Sequence, residues 1–228
     1  MTKAQKLLLL ASAASIILWA VPVARYLTIP LTYLNTHFHE LAHALMAIAT
    51  GGIADYIHVY ADGSGVTPVA GGSIFLIASA GYPGTALLGA ALILAGRTEK
   101  SAQTALKALS IVLGLSLLLF IRGDAVGVIS AILWIPALWL LALKTKGDTI
   151  KVVTQFLGVQ MSLTAFQALL ILLNISATTD THSDAQILQQ TTFIPDIVWA
   201  TLWTVFSLIA VGTSLKTAWS PVRTSRER

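Results

Sequence analysis

Long apolar stretches, separated by short polar segments, cover most of the chain. Six of them approach or exceed the length of about 20 residues that an α-helix needs to cross the hydrocarbon core of a bilayer. They span residues 7–24, 73–95, 105–121, 125–143, 150–173 and 195–215. The pattern predicts an all-α polytopic membrane protein.

A seventh helix is predicted for residues 30–50, which are more polar than the other stretches. Histidine and glutamate side chains in this segment would be costly to bury in hydrocarbon unless they pair or bind a metal. We therefore expect this helix to face the interior of the bundle rather than lipid. The sequence thus predicts about six to seven transmembrane helices. They form one integral membrane domain, residues 1–228, in which the helices that follow the polar helix and a C-terminal tail occupy residues 73–228.

Residues 53–70 have a different pattern, which predicts a short β-hairpin next to the polar helix. Ile57, Val59 and Val66 are β-branched and flank the turn sequence Asp62-Gly63-Ser64-Gly65. Two interpretations are open. The segment is either an extramembrane connector or an exposed strand edge that binds an unwound peptide by strand addition.

The composition agrees with a membrane location. Hydrophobic residues make up 56% of the chain and charged residues 11%, whereas soluble domains carry about 25% charged residues. The chain contains no cysteine. Histidine and carboxylate side chains are therefore the strong metal ligands that remain available.

The net charge of +4 indicates membrane topology and not nucleic-acid binding. The basic residues lie in short loops and at the C-terminus: Arg97, Lys100, Lys107, Lys144, Lys146, Lys151, Lys216, Arg223, Arg226 and Arg228. Positive loops face the cytoplasm. This predicts a cytoplasmic C-terminus, with the loop that contains Asp180, His182 and Asp184 on the other side.

Lys3 and Lys6 would also place the N-terminus in the cytoplasm, which is incompatible with seven full crossings. Either the helix of residues 30–50 is re-entrant or one terminus breaks the rule. The apolar stretch after Lys6 is expected to be a retained anchor helix rather than a cleaved signal.

The polar helix contains the pattern His39-Glu40-Leu41-Ala42-His43. Residues four apart share one helix face, so His39 and His43 can offer two imidazole nitrogens to one metal. Glu40 lies about 100° around the helix from His39, close enough to act on a metal-activated water. Such patterns also arise by chance, but the cost of burying these polar groups in a membrane favours the metallopeptidase interpretation.

The sequence resembles the site-2 protease family, and more closely its compact peptidase-B-like branch in bacteria and plants. The matching runs are Phe38-His39-Glu40-Leu41-Ala42-His43-Ala44, Thr50-Gly51-Gly52, Asp62-Gly63-Ser64-Gly65-Val66-Thr67 and Ala80-Gly81-Tyr82-Pro83-Gly84. The resemblance implies a zinc-dependent intramembrane metallopeptidase with Zn2+ as its cofactor. It also implies a membrane protein or peptide substrate and a bacterial plasma membrane around the protein.

The third metal ligand is not set by the motif, because this chain lacks the later aspartate motif that is typical of the family. The candidates are Asp184, Asp124, His182, Asp180 and Asp196. Asp184 is favoured because Ser183-Asp184-Ala185 is similar to the closer branch. The same residues are also typical of a helix N-terminus.

Other polar residues near these candidates have simpler interpretations. Asp124 is expected to pair with Arg122, and His37 and His58 are expected to lie outside the site. Asn35 either bonds a ligand or caps its helix. The run Gly81-Tyr82-Pro83-Gly84 predicts a kink, which either serves packing or leaves Tyr82 lining a polar cavity near the metal.

The predicted reaction is peptide-bond hydrolysis, with zinc held by His39, His43 and Asp184 and with Glu40 as the general base on a zinc-bound water. An alternative is a catalytically silent membrane protein of the same fold that binds a transmembrane partner. A metal transporter is a third option, but the later spans offer glutamines rather than the charged groups of an ion pathway.

Overall fold

The computed structural model describes residues 1–21, 24–175 and 183–220. The described part is mostly helical, with α1 (Lys3–Ala20), α2 (Ile29–Ala49), α3 (Ile74–Ala78), α4 (Gly81–Ala95), α5 (Glu99–Leu119), α6 (Ala125–Lys144), α7 (Gly147–Ser162), α8 (Thr164–Ile175), α9 (Asp184–Thr192) and α10 (Asp196–Trp219). A 3-10 turn at Ala24–Leu27 precedes α2. Four short strands follow α2: β1 (Ile53–Ala54), β2 (His58–Val59), β3 (Gly65–Val66) and β4 (Val69–Ala70).

Within the described residues, α5, α6 and α10 are long and apolar enough to cross a membrane, and α4 is a shorter apolar helix. These helices agree with the predicted membrane protein. The count of six to seven spans stays a prediction.

Two of the predicted spans are each divided into two helices. The span 73–95 breaks between Ala78 and Gly81, so the break lies just before the predicted kink. Pro83 is the third residue of α4, where its missing N–H would have had no partner within the helix. The span 150–173 divides at Leu163, which separates α7 from α8.

Helices α4 and α7 pack closely against each other. A Cβ atom on Gly89 would lie 2.3 Å from the carbonyl oxygen of Gly158, and a Cβ on Gly158 would lie 2.5 Å from that of Gly89. Small residues at such crossings let two backbones approach closely in an apolar environment. This contact sets the position of α4, whose first residues reach the candidate site.

The polar helix α2 lies inside the bundle, as its sequence predicts. Asn35 donates from its side-chain amide to the carbonyl oxygen of Gln160 in α7, at 3.3 Å. The Nε2 atom of His37 lies 2.9 Å from the hydroxyl of Ser130 in α6. The Asn35 amide and Nε2 of His37 therefore find partners on neighbouring helices, as buried polar groups in an apolar setting usually do.

The predicted β-hairpin is present as two short antiparallel ladders. β1 pairs with β4, with Ile53 opposite Ala70, and β2 pairs with β3, with His58 opposite Val66. The Asp62 carboxylate accepts hydrogen bonds from the backbone N–H and the hydroxyl of Ser64, which fixes the turn. The turn lies on α2 because Tyr33 donates to the carbonyl of Ala61 and Thr36 to that of Gly63.

The hairpin and the basic loops lie at opposite ends of α5. Ile57 pairs with Ile121, just beyond the C-terminus of α5. At its N-terminus, Glu99 accepts a hydrogen bond from the backbone N–H of Gly147, the first residue of α7. Arg97 donates to the carbonyl of Ser220, at the end of α10. The loops before α5 and α7 and the end of α10 therefore meet at one end of the bundle.

Candidate metal centre

Helix α2 brings His39, Glu40 and His43 into the interior, where their exposed fractions are 9%, 5% and 6%. The two histidines are one helical turn apart, and their imidazole rings are 4.7 Å apart between centroids. Their Nε2 atoms converge to 3.0 Å. The helical spacing of the motif thus places two nitrogen donors at one point, as expected.

Asp184 completes this group from a distant part of the chain. Its Oδ2 atom lies 3.0 Å from Nε2 of His39 and 3.2 Å from Nε2 of His43, although 145 residues separate Asp184 from His39. Among the described residues, the set of potential ligands whose donor atoms lie within 4.8 Å of one another consists of His39, His43 and Asp184.

Asp184 is also the first residue of α9, so the helix-terminus interpretation and the ligand interpretation are compatible. The Ser183 hydroxyl accepts from the backbone N–H of Gln186, and the Gln186 side chain accepts from the backbone N–H of Ser183. This capping box fixes the start of the helix. Ala185 and Leu188 belong to one buried cluster with Ala200 and Trp203 of α10, so α9 packs against α10 beside the site.

The donor set and its geometry fit a zinc ion. Ligands bound at about 2.0–2.1 Å to a tetrahedral zinc lie about 3.3 Å from one another, and the three donor atoms are 3.0–3.2 Å apart. Nδ1 of His43 donates to the carbonyl of Ile77 at 2.6 Å. Such a bond leaves Nε2 free to bind a metal, and it is typical of histidine ligands.

Gly81, at the start of α4, contributes to this fit by having no side chain. An ideal Cβ at Gly81 would lie 2.4 Å from Nε2 of His39 and 2.6 Å from Nε2 of His43. Any larger residue would therefore occupy the space in front of the two donor nitrogens. The close approach of α4 is compatible with the site only because this residue is glycine.

Glu40 lies beside the donor group, in contact with the hairpin. The Thr67 hydroxyl donates towards two oxygens of Glu40. It lies 2.7 Å from the carboxylate Oε2 and 3.1 Å from the backbone carbonyl of Glu40. On the other side, a Cβ at Gly65 would lie 2.7 Å from Oε1 of Glu40. β3 and the segment between β3 and β4 therefore position the carboxylate.

The remaining ligand candidates lie elsewhere or outside the described residues. Asp124 caps α6 by accepting from the backbone N–H of Val126, and Asp196 accepts from the N–H of Ile197. Asp180 and His182 lie outside the described residues. The donor group therefore contains the favoured candidate, Asp184.

The expected pair of Arg122 with Asp124 is wrong. Arg122 donates instead to backbone carbonyls at the end of α5, including those of Leu117 and Leu118, because these carbonyls have no partner within the helix. His58 accepts from the backbone N–H of Asp124. Together with the bond from His37 to Ser130, this places both histidines outside the donor group, as predicted.

Neither suggested role for Asn35 is observed, because it joins α2 to α7. Three residues contact the site without having been singled out for this role by the sequence: Thr67 at Glu40, Ile77 at His43 and Gly81 at both histidines. Tyr82 was suggested as a cavity residue, and its ring lies 4.5 Å from that of His39. In the run Gly81-Tyr82-Pro83-Gly84, the glycines and the proline predict an irregular backbone. That this run contacts the histidines depends on the tertiary structure.

Comparison with protein families gives a match to the model described as Peptidase M50B-like over residues 8–214. The match includes every residue of the donor group and Glu40. It agrees with the resemblance to the site-2 protease family. No curated protein and no solved structure matches the chain.

Proposed function

This chain belongs to the Peptidase M50B-like family, and we propose that it is a zinc-dependent intramembrane metallopeptidase. The observation that carries the proposal is the convergence of His39, His43 and Asp184 next to Glu40. Two imidazoles and one carboxylate are a common ligand set of catalytic zinc. The apolar helices agree with a site inside a membrane protein.

His39, His43 and Asp184 would hold the zinc ion through Nε2, Nε2 and Oδ2. A zinc ion bound there supplies Lewis-acid chemistry, since it lowers the pKa of a water molecule and polarises a carbonyl group. The chain itself fixes the donor atoms. His43 is oriented by Ile77, and Asp184 is held by the capped start of α9.

Glu40 is assigned the proton transfers of the reaction. Its carboxylate takes a proton from the attacking water and later gives that proton to the amine nitrogen of the leaving peptide. Thr67 donates to Oε2, which leaves Oε1 as the oxygen for this role. Gly65 lies against Oε1 and, having no side chain, leaves room for that oxygen.

The hairpin is proposed to hold the substrate in an extended form. A transmembrane substrate that remains helical keeps its scissile carbonyl in a backbone hydrogen bond, so it must unwind before attack. The ladders of the hairpin have two strands each, so each strand has one edge outside its ladder. Val66 and Val69 are exposed on either side of Thr67, and an added strand here would lie beside Glu40.

The test measures zinc per chain and hydrolysis of casein by the full-length protein purified in detergent. The wild type is expected to hold about one zinc per chain and to cleave casein. Glu40→Gln keeps the shape of the side chain and removes the base. It should keep zinc and lose hydrolysis by more than about a hundredfold, a typical loss for a general base.

The matched control is Glu99→Gln, which makes the same change of side chain away from the donor group. Glu99 accepts a hydrogen bond from the backbone N–H of Gly147 at the N-terminus of α5, whereas the hairpin lies at the C-terminus of that helix. This variant should change neither zinc nor hydrolysis. Full activity of Glu40→Gln would overturn the catalytic assignment. A wild type that binds no zinc would overturn the metal assignment and favour the alternative, a silent protein that binds a transmembrane partner.

A further inference from the structure

The two histidines of the donor group are held in different ways. His43 donates from Nδ1 to the carbonyl of Ile77, which fixes the plane of its ring. Nδ1 of His39 is buried and has no hydrogen-bond partner among the described residues. Histidine ligands usually have such a partner, since it sets both tautomer and ring orientation. Something else must therefore orient His39.

Aromatic packing is the contact that the structure provides for this ring. Tyr82 lies 4.5 Å from His39 between centroids, at an interplanar angle of 68°. This is the edge-to-face geometry that aromatic pairs prefer. The His43 ring packs on His39 in a similar way, at 4.7 Å and 76°. The His39 ring is therefore held between the rings of His43 and Tyr82.

Tyr82 is itself supported by the C-terminal helix of the bundle. Its ring lies 5.1 Å from that of Trp203 at an angle of 30°. Trp203 is buried on α10 in the cluster that also contains Ala185 and Leu188 of α9. The same tryptophan thus contacts the residue that packs on His39 and shares a buried cluster with the helix that carries Asp184.

We propose that Tyr82, supported by Trp203, is a positioning residue that fixes the His39 ring in its metal-binding orientation. The role lies in the ring and not in the hydroxyl. Aromatic contact replaces the missing hydrogen bond at Nδ1. This inference rests on the proposed zinc site and adds a residue to it.

The test measures zinc affinity in detergent by competition with a chromophoric chelator. Tyr82→Phe keeps the ring and should bind zinc as the wild type does. Tyr82→Leu removes the ring and should weaken zinc binding by about 10- to 100-fold, the usual effect of losing a residue that orients a ligand. Trp203→Leu should weaken it in the same direction. The visible absorption of the cobalt-loaded protein should change in both leucine variants, because it reports the geometry of the ligands.

Tyr60→Leu is the matched control. Tyr60 stacks on His58 at 4.2 Å, which is a tyrosine–histidine pair outside the donor group. It should leave zinc affinity unchanged. Thermal unfolding of the metal-free variants shows whether each is folded at the temperature of the titration. If one leucine variant does not fold, the other one carries the test.

Wild-type zinc affinity in the folded leucine variants would overturn the positioning role while leaving the proposed function intact. Loss of affinity in Tyr82→Phe equal to that in Tyr82→Leu would also overturn it, since the ring is then not what matters. A wild type that binds no zinc would overturn the proposed function itself.

Discussion

At the scale of single residues, the donor group and the base depend on uncharged neighbours. Ile77 orients His43 through a carbonyl, Gly81 leaves room for both imidazoles, and Thr67 donates to Glu40. None of these residues has metal-binding or acid–base chemistry of its own. Their contribution is geometry, so substitutions that change geometry alone should affect the site.

Thr67→Val removes the donor to Glu40 while keeping the shape of the side chain. A hydrogen bond to a charged group contributes about 1.5–3 kcal/mol, so hydrolysis of casein should fall by about tenfold or more, with zinc per chain unchanged. Thr67→Ser keeps the hydroxyl and should retain most of the activity. Equal rates for Thr67→Val and the wild type would show that Thr67 does not position the base.

Gly81→Ala should weaken zinc binding. The new methyl group would lie 2.4 Å from Nε2 of His39, so at least one imidazole must turn away from the donor group. We expect at least about a tenfold loss of zinc affinity, as for the loss of a contact that orients a ligand. Gly212→Ala is the control, because its Cβ would meet nothing within 4 Å. Unchanged zinc binding in Gly81→Ala would exclude a metal between these nitrogens.

At the scale of elements, the site joins one long helix, one short helix and a hairpin. α2 carries the motif, α9 carries Asp184 and the hairpin carries Thr67. α9 has only nine residues, and isolated helices of that length are unstable in water. Its position therefore depends on the capping box and on its packing against α10.

Ser183→Ala removes the cap of α9 and should weaken zinc binding. Loss of an N-cap costs about 1 kcal/mol, which corresponds to up to about a fivefold loss of affinity if the start of the helix loosens. Thr98→Ala removes the cap of α5 and should leave zinc affinity unchanged. A chelator titration of both variants checks this. Equal affinities would mean that packing alone holds Asp184 in place.

At the scale of the whole molecule, charge is distributed unequally between the two ends of the bundle. Arg97 before α5, Lys100 in the first turn of α5 and Lys146 before α7 lie near the C-terminal end of α10. The hairpin lies at the other end of α5. The positive-inside rule predicts that the basic end faces the cytoplasm and that the hairpin faces the opposite compartment.

Single cysteines can test this orientation without background labelling, because the chain has no cysteine. Asp55 in the hairpin and Lys100 at the basic end are both exposed. In intact cells, a membrane-impermeant thiol reagent should label Asp55→Cys. It should label Lys100→Cys only after the membrane is permeabilised. The reverse pattern would show that the hairpin faces the cytoplasm.

Much of the fold follows from local patterns in the sequence. Apolar stretches predict α5, α6 and α10, and the turn residues around Gly63 predict the hairpin. The breaks at Ser79 and Leu163 were harder to predict. Helix ends inside apolar stretches depend on how the helices pack on one another, and this packing leaves little trace in hydropathy.

The sequence by itself determined that His39, Glu40 and His43 lie together, because the period of a helix places residues four apart on one face. It narrowed the third donor to a few residues but could not place any of them. Only the tertiary structure decided that Asp184 lies 3.0 Å from His39 across 145 residues of chain. It also decided that Thr67 contacts Glu40 and that Tyr82 packs on His39. Local spacing is fixed by backbone geometry, whereas contacts between distant segments depend on how the helices pack.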